Sequence, residues 1–231
     1  MENGITVIIP AHNEERSIAK VVRNVRKNKK VKEIIVVNNA STDNTADVAR
    51  SVGAILVNCD RRGKGHAMEE GIKRAKNDIL LFMDGDITNY KKNIIDIMTE
   101  DIFSDEADFI KSAFTRSGGR VTELVAKPLI ELLFPEAARF EQPLSGIIAG
   151  KREFFNRIEL EKDYGVDIGI LLDMLKINAR VKEAYIGKLK NDSQDWKALA
   201  KMSREVSRAI ISRADNISKN NNLVVADFKI S

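Results

Sequence analysis

The sequence predicts an α/β fold: a Rossmann-type, mostly parallel sheet flanked by helices. Short apolar runs rich in Val and Ile alternate with longer helical patterns through the first half of the chain, and each apolar run ends in a polar loop. This alternation is typical of parallel strands joined by crossover helices. Of the 231 residues, 43% are hydrophobic and 31% are charged, with only 4 Pro and 13 Gly, which is a composition that supports a compact core.

Four strands are predicted in the first half, at 5–9, 34–37, 55–57 and 79–83. Apolar residues recur at spacings of three and four over 18–25, which predicts an amphipathic helix covering the sheet. A second helix is predicted over 46–52, with N-cap candidates in 41–45 and Gly53 as its stop.

The second half is less regular. We expect a strand at 107–114, a helix at 121–134 interrupted by Pro128, a strand or loop at 145–150, a helix at 166–177 and a late strand at 180–186. An apolar stripe from Trp196 to Ile217 predicts a long C-terminal helix that packs on the domain or on a partner subunit.

Composition excludes several function classes. The 38 Lys and Arg against 34 Asp and Glu give a net charge of only +4, and aromatics are 6%, so a nucleic-acid partner is not expected. No apolar run approaches the roughly 18 residues of a spanning helix, so we expect no integral membrane segment. The single cysteine, Cys59, cannot form an intrachain disulfide, and we expect a cytoplasmic protein.

Parallel sheets place ligands at the carboxyl ends of their strands, where this chain carries polar clusters. In one of them, Asp84 and Asp86 follow a buried apolar run with one residue between them. Two carboxylates this close repel each other unless a cation neutralises them, and Mg²⁺ or Mn²⁺ prefers such oxygen ligands together with substrate phosphates. An isolated Asp-Gly-Asp is more often a solvated turn, but the strand before it favours a metal site.

A basic loop carries Arg61, Arg62 and Lys64 between Gly63 and Gly65. We interpret these glycines as backbone that a pyrophosphate could approach closely, although the loop is as consistent with a surface turn. The chain has neither a nucleotide-triphosphate loop nor a Gly-x-Gly-x-x-Gly after the first strand. The two histidines form no helical zinc pair, Cys59 is interpreted as a packed thiol, and a serine triad is unsupported.

The four strand-end clusters, in this order, resemble the nucleotide-diphospho-sugar glycosyltransferases of GT-A fold: Val7-Ile-Ile-Pro-Ala-His-Asn-Glu-Glu, Asn39-Ala-Ser-Thr-Asp-Asn-Thr, Gly63-Lys-Gly and Asp84-Gly-Asp. The second half is similar to the glucosyl-3-phosphoglycerate synthases in Gly118-Gly-Arg-Val-Thr-Glu-Leu-Val-Ala-Lys-Pro-Leu, Phe134-Pro-Glu, Gln142-Pro-Leu-Ser-Gly-Ile-Ile-Ala-Gly-Lys-Arg and Tyr164-Gly-Val-Asp-Ile-Gly. With Met202-Ser-Arg the resemblance covers most of the chain.

The resemblance implies retaining transfer of glucose from UDP- or GDP-glucose to the 2-hydroxyl of 3-phosphoglycerate, with Mg²⁺ or Mn²⁺ on the diphosphate. It implies that the donor is bound by Pro10, Ala11, His12, Glu14, Asn39, Lys64, Asp84, Gly85, Tyr164 and Asp167, and the acceptor by Gly119, Arg120, Val121 and Thr122. Asp86, Asp167 and Lys64 are the expected catalytic residues, and the expected metal ligands are Asp84, Asp86 and Asp192. Independently of the resemblance, the planar guanidinium of Arg120 suits a phosphate or carboxylate.

Three departures from the family pattern matter. Asp167 stands where relatives usually carry glutamate, one methylene longer. The histidine that completes the metal site in relatives is absent, which leaves Asn191 or Asp192 as an oxygen ligand. Asn38-Asn39 replaces the acidic residue often found at the base site, so uracil and guanine both stay open.

We interpret the chain as a single domain: a nucleotide-sugar half at 1–115, an acceptor half at 116–190 and a helical region at 191–231 that makes a homodimer plausible. Two alternatives stay open. A polyprenyl-phosphate sugar transferase would share the first hundred residues, and a catalytically silent sugar-nucleotide-binding protein would fit the missing histidine and the shortened acid.

Overall fold

The computed structural model describes residues 4–87, 89–115, 119–189 and 195–221. The strands are β1 (Ile5–Ala11), β2 (Val31–Asn39), β3 (Ile55–Cys59), β4 (Ile79–Phe82), β5 (Phe109–Thr115), β6 (Ile148–Lys151) and β7 (Val181–Lys188). The helices are α1 (Ile18–Val25), α2 (Thr45–Ser51), α3 (Lys64–Arg74), α4 (Ile94–Phe103), α5 (Lys127–Leu133), α6 (Arg152–Phe155), α7 (Val166–Lys176) and α8 (Trp196–Asn221).

The strands form one seven-stranded sheet in the order β3-β2-β1-β4-β6-β5-β7. β6 is antiparallel to both of its neighbours, and every other pair is parallel. The predicted mostly parallel sheet is therefore confirmed. Because six strands run the same way, the chain segments that follow β1, β2, β3, β4, β5 and β7 all leave the sheet at one edge.

Helices cover both faces of the sheet. Successive side chains of a strand point to opposite faces, so Ile8 of β1 packs in one apolar layer and Ile9 in the other. One layer lies under α3, α5, α7 and α8, and the other under α1, α2 and α4. The apolar residues of α1, which repeat at helical spacing, are all buried there.

The segment after β5 corrects one expectation. A π-helical turn, Thr122–Ala126, leads directly into α5 at Lys127, so the chain stays helical through Pro128. Pro128 lies in the first turn of α5, where a missing N–H is tolerated best, and the wider π turn before it accommodates the ring. The predicted interruption at Pro128 is wrong.

The last helix, α8, begins at the predicted Trp196 and continues to Asn221. It packs against α7, α5 and the π-helical turn, so it covers the same face of the sheet as α3. Across the described ranges, no helix combines the length and the apolar character needed to span a bilayer.

Candidate active site

Carboxylates gather where β4 ends. Met83 is buried, Asp84 is partly exposed and Asp86 is exposed, so the chain emerges from the core between Met83 and Asp86. Glu14, from the loop after β1, approaches Gly85 so closely that a Cβ there would lie 3.5 Å from its Cγ. Burial raises the pKa of the Glu14 carboxyl, and the negative charges of Asp86 and Asp84 add to that rise. The site therefore concentrates negative charge, as a cation site requires.

The loop after β4 is fixed by Tyr90. Its hydroxyl donates a hydrogen bond of 3.0 Å to the main-chain oxygen of Asp84. Burial raises the pKa of this phenol well above its usual value, and the carboxylates of Asp84 and Asp86 contribute to the rise. Tyr90 therefore stays a neutral donor and holds the main chain at Asp84 in place.

Lys64, the first residue of α3, joins two carboxylates from distant parts of the chain. Its Nζ donates to Asp84 Oδ1 at 3.1 Å and to Asp167 Oδ2 at 2.9 Å. The side chain of Asp167 is only 3% exposed and that of Lys64 16%, so this pair is shielded from water. Burial lowers the pKa of the Lys64 ammonium, but the charges of Asp167 and Asp84 outweigh burial and raise it above its ordinary value.

Asp167 keeps one oxygen available. Its Oδ1 is buried and has no hydrogen-bond partner among the described residues. Burial raises the pKa of this carboxyl, and the charges of Lys64 and Lys111 offset part of the rise. A buried carboxyl group that is bound to Lys64 at Oδ2 and has a free Oδ1 is an acceptor suited to a sugar hydroxyl. Tyr164, three residues earlier, is 43% exposed.

Gly146 is a site residue to which sequence analysis assigned no role. A Cβ at this position would lie 2.1 Å from Lys64 Nζ and 2.8 Å from Asp84 Oδ1. Only glycine lets the chain before β6 pass this close to the ion pair. The one sequence feature that could have pointed to Gly146 is its place in the segment from Gln142 to Arg152, which carries part of the family resemblance.

The glycines of the basic loop lie against backbone that is remote in sequence. A Cβ on Gly65 would lie 1.6 Å from the main-chain oxygen of Glu161, and one on Gly63 would lie 2.2 Å from that of Lys162. Gly63 also has φ +141°, which favours glycine. The glycines therefore make room for the backbone at 161–162 and fix the start of α3, which positions Lys64.

Asn39 ties that loop to the end of β2. Its Oδ1 accepts a hydrogen bond from the Gly63 N–H at 2.9 Å, and its Nδ2 donates to the Arg61 carbonyl at 2.8 Å. Only 5% of Asn39 is exposed, and its amide is used within the protein. A nucleobase contact through the Asn39 side chain stays a prediction, and Asn38 beside it is the less buried amide.

His12 lies between these elements, just beyond the strand end formed by Pro10 and Ala11. Its Nδ1 is 2.7 Å from the Asn39 carbonyl oxygen, so Nδ1 carries the proton. Nε2 is then left to accept from Arg62 Nη2 at 3.0 Å. Arg61 instead pairs with Glu69 and Glu70 of α3, so of the three basic side chains it is the one directed away from this network.

The candidate acceptor residues follow β5. Gly119 has φ +95°, and Arg120 is exposed, with its guanidinium carbon 5.3 Å from the centre of the Trp196 ring. Val121 and Thr122 are buried, so the charged group that this segment offers a ligand is Arg120. β5 is two strands from β4 in the sheet, which is about 10 Å.

The residues fit a divalent cation that is completed by substrate. Within the ranges that the structure describes, no group of three His, Cys, Asp or Glu side chains is arranged to hold a metal. Mg²⁺ is commonly bound by one or two carboxylates together with phosphate oxygens, which Asp84, Asp86 and a diphosphate would supply. Asp192 and its alternative Asn191 lie outside the described residues.

Lys111 of β5 is a second residue that sequence analysis missed. It is fully buried, and its Nζ donates to the main-chain oxygen of Asp167 at 2.8 Å. The available signal was a lysine inside the apolar run predicted as a strand at 107–114.

Comparison with known proteins identifies the family. The profile of Glycosyl transferase family 2 matches residues 6–161. Glucosyl-3-phosphoglycerate synthase of Mycobacterium tuberculosis is 32% identical over 237 residues, which cover 90% of this chain and 73% of the relative. The chain belongs to glycosyl transferase family 2 and, within it, to the glucosyl-3-phosphoglycerate synthases. It is thus a glycosyltransferase with a GT-A-like fold.

Other members agree. The synthase of Petrotoga mobilis is 29% identical over 242 residues, 93% of this chain and 74% of the relative. The crystal structure of the Mycobacterium tuberculosis synthase in complex with Mn²⁺, UDP-glucose and phosphoglyceric acid aligns with a TM-score of 0.87 and 32% identity, over 92% of this chain and 80% of that one. Other crystal structures of that enzyme are complexes with Mg²⁺ and UDP, and with Mn²⁺, UDP and glucosyl-3-phosphoglycerate.

Proposed function

We propose that this enzyme transfers glucose from a nucleoside diphosphate glucose to the 2-hydroxyl of 3-phosphoglycerate, with retention at the anomeric carbon. The product is glucosyl-3-phosphoglycerate, a precursor of the compatible solute glucosylglycerate. The observation that carries the proposal is the shielded arrangement in which Lys64 joins Asp84 and Asp167 at the sheet edge. It combines groups for a cation, a diphosphate and a sugar hydroxyl in one place.

Each residue of this arrangement has a task in the reaction. Asp84 and Asp86 would hold the cation, which when bound neutralises the diphosphate as a leaving group. Lys64 adds positive charge beside the same diphosphate, and the free Oδ1 of Asp167 accepts a hydrogen bond from a glucose hydroxyl. The glucosyl group is thereby oriented before the acceptor arrives.

The acceptor binds at the segment after β5. Arg120 offers a planar fork of donors to the phosphate or carboxylate of 3-phosphoglycerate. The 2-hydroxyl oxygen forms the new bond to the anomeric carbon while the bond to the diphosphate oxygen breaks on the same face, and the leaving diphosphate takes the hydroxyl proton. No protein nucleophile is needed for this front-face transfer.

The test is a donor and acceptor screen. UDP-glucose or GDP-glucose with Mg²⁺ or Mn²⁺ should release nucleoside diphosphate only when 3-phosphoglycerate is added, and NMR of the product should show the α anomer. Absence of release with both donors would refute the proposal. The comparison of the two donors also decides the base, for which the side chains of Asn38 and Asn39 give no preference.

The same screen separates the alternatives. A polyprenyl-phosphate sugar transferase would use a lipid phosphate in place of 3-phosphoglycerate and float with liposomes. A catalytically silent protein would bind UDP or GDP in calorimetry without turnover with any acceptor.

We also propose that the enzyme is a cytoplasmic homodimer built as one domain. Two large apolar side chains support a self-association surface, since Leu124 and Leu132 are 72% and 78% exposed on the helical segment that packs against α8. Light scattering coupled to size-exclusion chromatography should give twice the 25.9 kDa chain mass, and a monomer at micromolar concentration would contradict it.

A further inference from the structure

A lysine is buried behind the site and has no role in the reaction as described above. Lys111 has 0% exposure, and among the described residues its ammonium has one hydrogen bond, of 2.8 Å to the main-chain oxygen of Asp167. It makes no ion pair within 4 Å in the described part of the chain. Burying an ammonium without a directly paired carboxylate is costly, and an apolar side chain of similar volume would fill the space more cheaply. Stability therefore does not explain a lysine here.

Lys111 contacts the turn of α7 that carries Asp167. It reaches the first turn of α7 from β5, the strand on the far side of β6 from β4. Lys64 binds Asp167 at Oδ2, Lys111 binds its main-chain oxygen, and Oδ1 is left without a partner among the described residues. Two cations thus flank a buried carboxylate while one carboxylate oxygen stays available.

We propose that Lys111 is a positioning residue for the donor sugar: it anchors the first turn of α7 and keeps the Asp167 carboxylate ionised, so that Oδ1 accepts a hydrogen bond from the glucosyl group. The inference rests on the proposed function, because it assigns Asp167 to the sugar of the donor.

Charge coupling gives the proposal a pH signature. The pKa of Lys111 is lowered to about 7, and burial is the largest cause. The charged groups that face Lys111 act in both directions. Its pKa is raised by Asp167 on α7, Asp84 after β4 and Glu183 on β7, and it is lowered by Lys64 on α3. Burial raises the pKa of Asp167, and Lys64 and then Lys111 lower it. Below pH 7 the charged Lys111 therefore favours the ionised Asp167. Well above pH 7, Lys111 is neutral and no longer lowers the pKa of Asp167.

The test compares ligands that differ only by the sugar. Calorimetry should measure the affinities of UDP-glucose and UDP, both with Mg²⁺, for the wild type, Lys111→Met and Lys111→Gln between pH 6 and pH 9; if the screen above selects guanine, GDP-glucose and GDP take their places. At pH 6 both variants should bind the sugar nucleotide about tenfold more weakly, because Asp167 loses a positive charge that lowers its pKa, while the affinity for the diphosphate stays within about twofold. The defect should disappear by pH 9.

Each outcome decides the proposal. Equal weakening of both ligands, or weakening that does not change with pH, would give Lys111 a structural role only, and unchanged binding would leave it without a role. Urea unfolding should show Lys111→Met to be as stable as the wild type or more so. Loss of the fold in both variants would overturn the proposal, because the ammonium would then serve the core. Failure of the proposed function would be seen separately, as no turnover of the wild type with 3-phosphoglycerate.

Discussion

The proposed donor corner and the proposed acceptor corner of this enzyme are built differently. In the donor corner, defined by Glu14, Lys64, Asp84, Asp86 and Asp167, Lys64 binds Asp84 and Asp167, which come from distant segments, and Asp167 is 2% exposed. In the acceptor corner, defined by residues 119–122, the one charged group is exposed and rests on the Trp196 ring at 5.3 Å. The donor corner is therefore assembled before a ligand binds, whereas Arg120 has one stacking contact among the described residues.

This difference predicts which mutations change both folding stability and ligand affinity, and which change ligand affinity alone. A substitution in the donor corner removes a ligand contact and also unpairs a buried charge, so both properties should change. A substitution of the exposed arginine should change acceptor binding only. The following predictions test that contrast.

The largest effect is expected at the cation site. Asp84→Asn should lower turnover about 10³-fold, because it removes a carboxylate that holds the charge on the leaving diphosphate. Binding of Mn²⁺ in the presence of UDP, measured by calorimetry, should weaken in parallel. Asp78→Asn is the matched control, since Asp78 precedes the other end of β4 and its side chain is 84% exposed. Equal loss in both variants would show that the strand, not the site, was damaged.

Lys64→Met should change both properties of the donor corner. Donor affinity should fall about 10²-fold, and the free energy of unfolding in urea should fall by about 3–5 kcal/mol, because Asp167 loses its buried partner. Adding Asp167→Asn should restore part of the stability but none of the donor affinity. If Lys64→Met leaves the free energy of unfolding unchanged, the contrast between the two corners is wrong. The buried ion pair would then contribute no more to stability than the exposed Arg120 does.

Much of the donor corner could be predicted from sequence, because polar clusters that follow apolar runs in a parallel sheet meet at one edge. That rule predicted that the loops of Lys64 and Asp84 meet, and the two side chains are 3.1 Å apart. It could not find that Lys64 pairs with Asp167, which is 103 residues away. It also could not find that Gly63 and Gly65 make room for the backbone at 161–162, because that backbone is remote in sequence.

The second half was harder to predict because its signals are weaker. The burial of Lys111 within the apolar run at 107–114 could not be predicted, since a lysine in a strand usually marks an exposed edge. The helix after β5 was expected to break at Pro128, but a preceding π turn accommodates the ring. Which basic side chain of 61–64 reaches the site depends on α3, since Glu69 and Glu70 of that helix pair with Arg61.

Arg120→Ala should affect the acceptor alone. Loss of a charge-assisted hydrogen bond to an anion should raise the KM for 3-phosphoglycerate about 10- to 100-fold, with the KM for the donor and the urea midpoint unchanged. Arg139→Ala is the control, because Arg139 is also exposed and lies 5.0 Å from the centre of an aromatic ring, that of Phe140. A rise in the donor KM of equal size would mean that the two corners are not separate.

The smallest effect is expected at Trp196. An exposed cation–π contact contributes about 0.5–1 kcal/mol, so Trp196→Ala should raise the KM for 3-phosphoglycerate about two- to fivefold through a less ordered Arg120. In an Arg120→Ala background the same substitution should change nothing further, because its only route to the acceptor is gone. Steady-state kinetics of the two single variants and the double variant measure this coupling. If Trp196→Ala alone matches Arg120→Ala, or adds to it, the indole itself contacts the acceptor. The acceptor corner would then include α8, and the acceptor would be bound by the indole of Trp196 as well as by the guanidinium of Arg120.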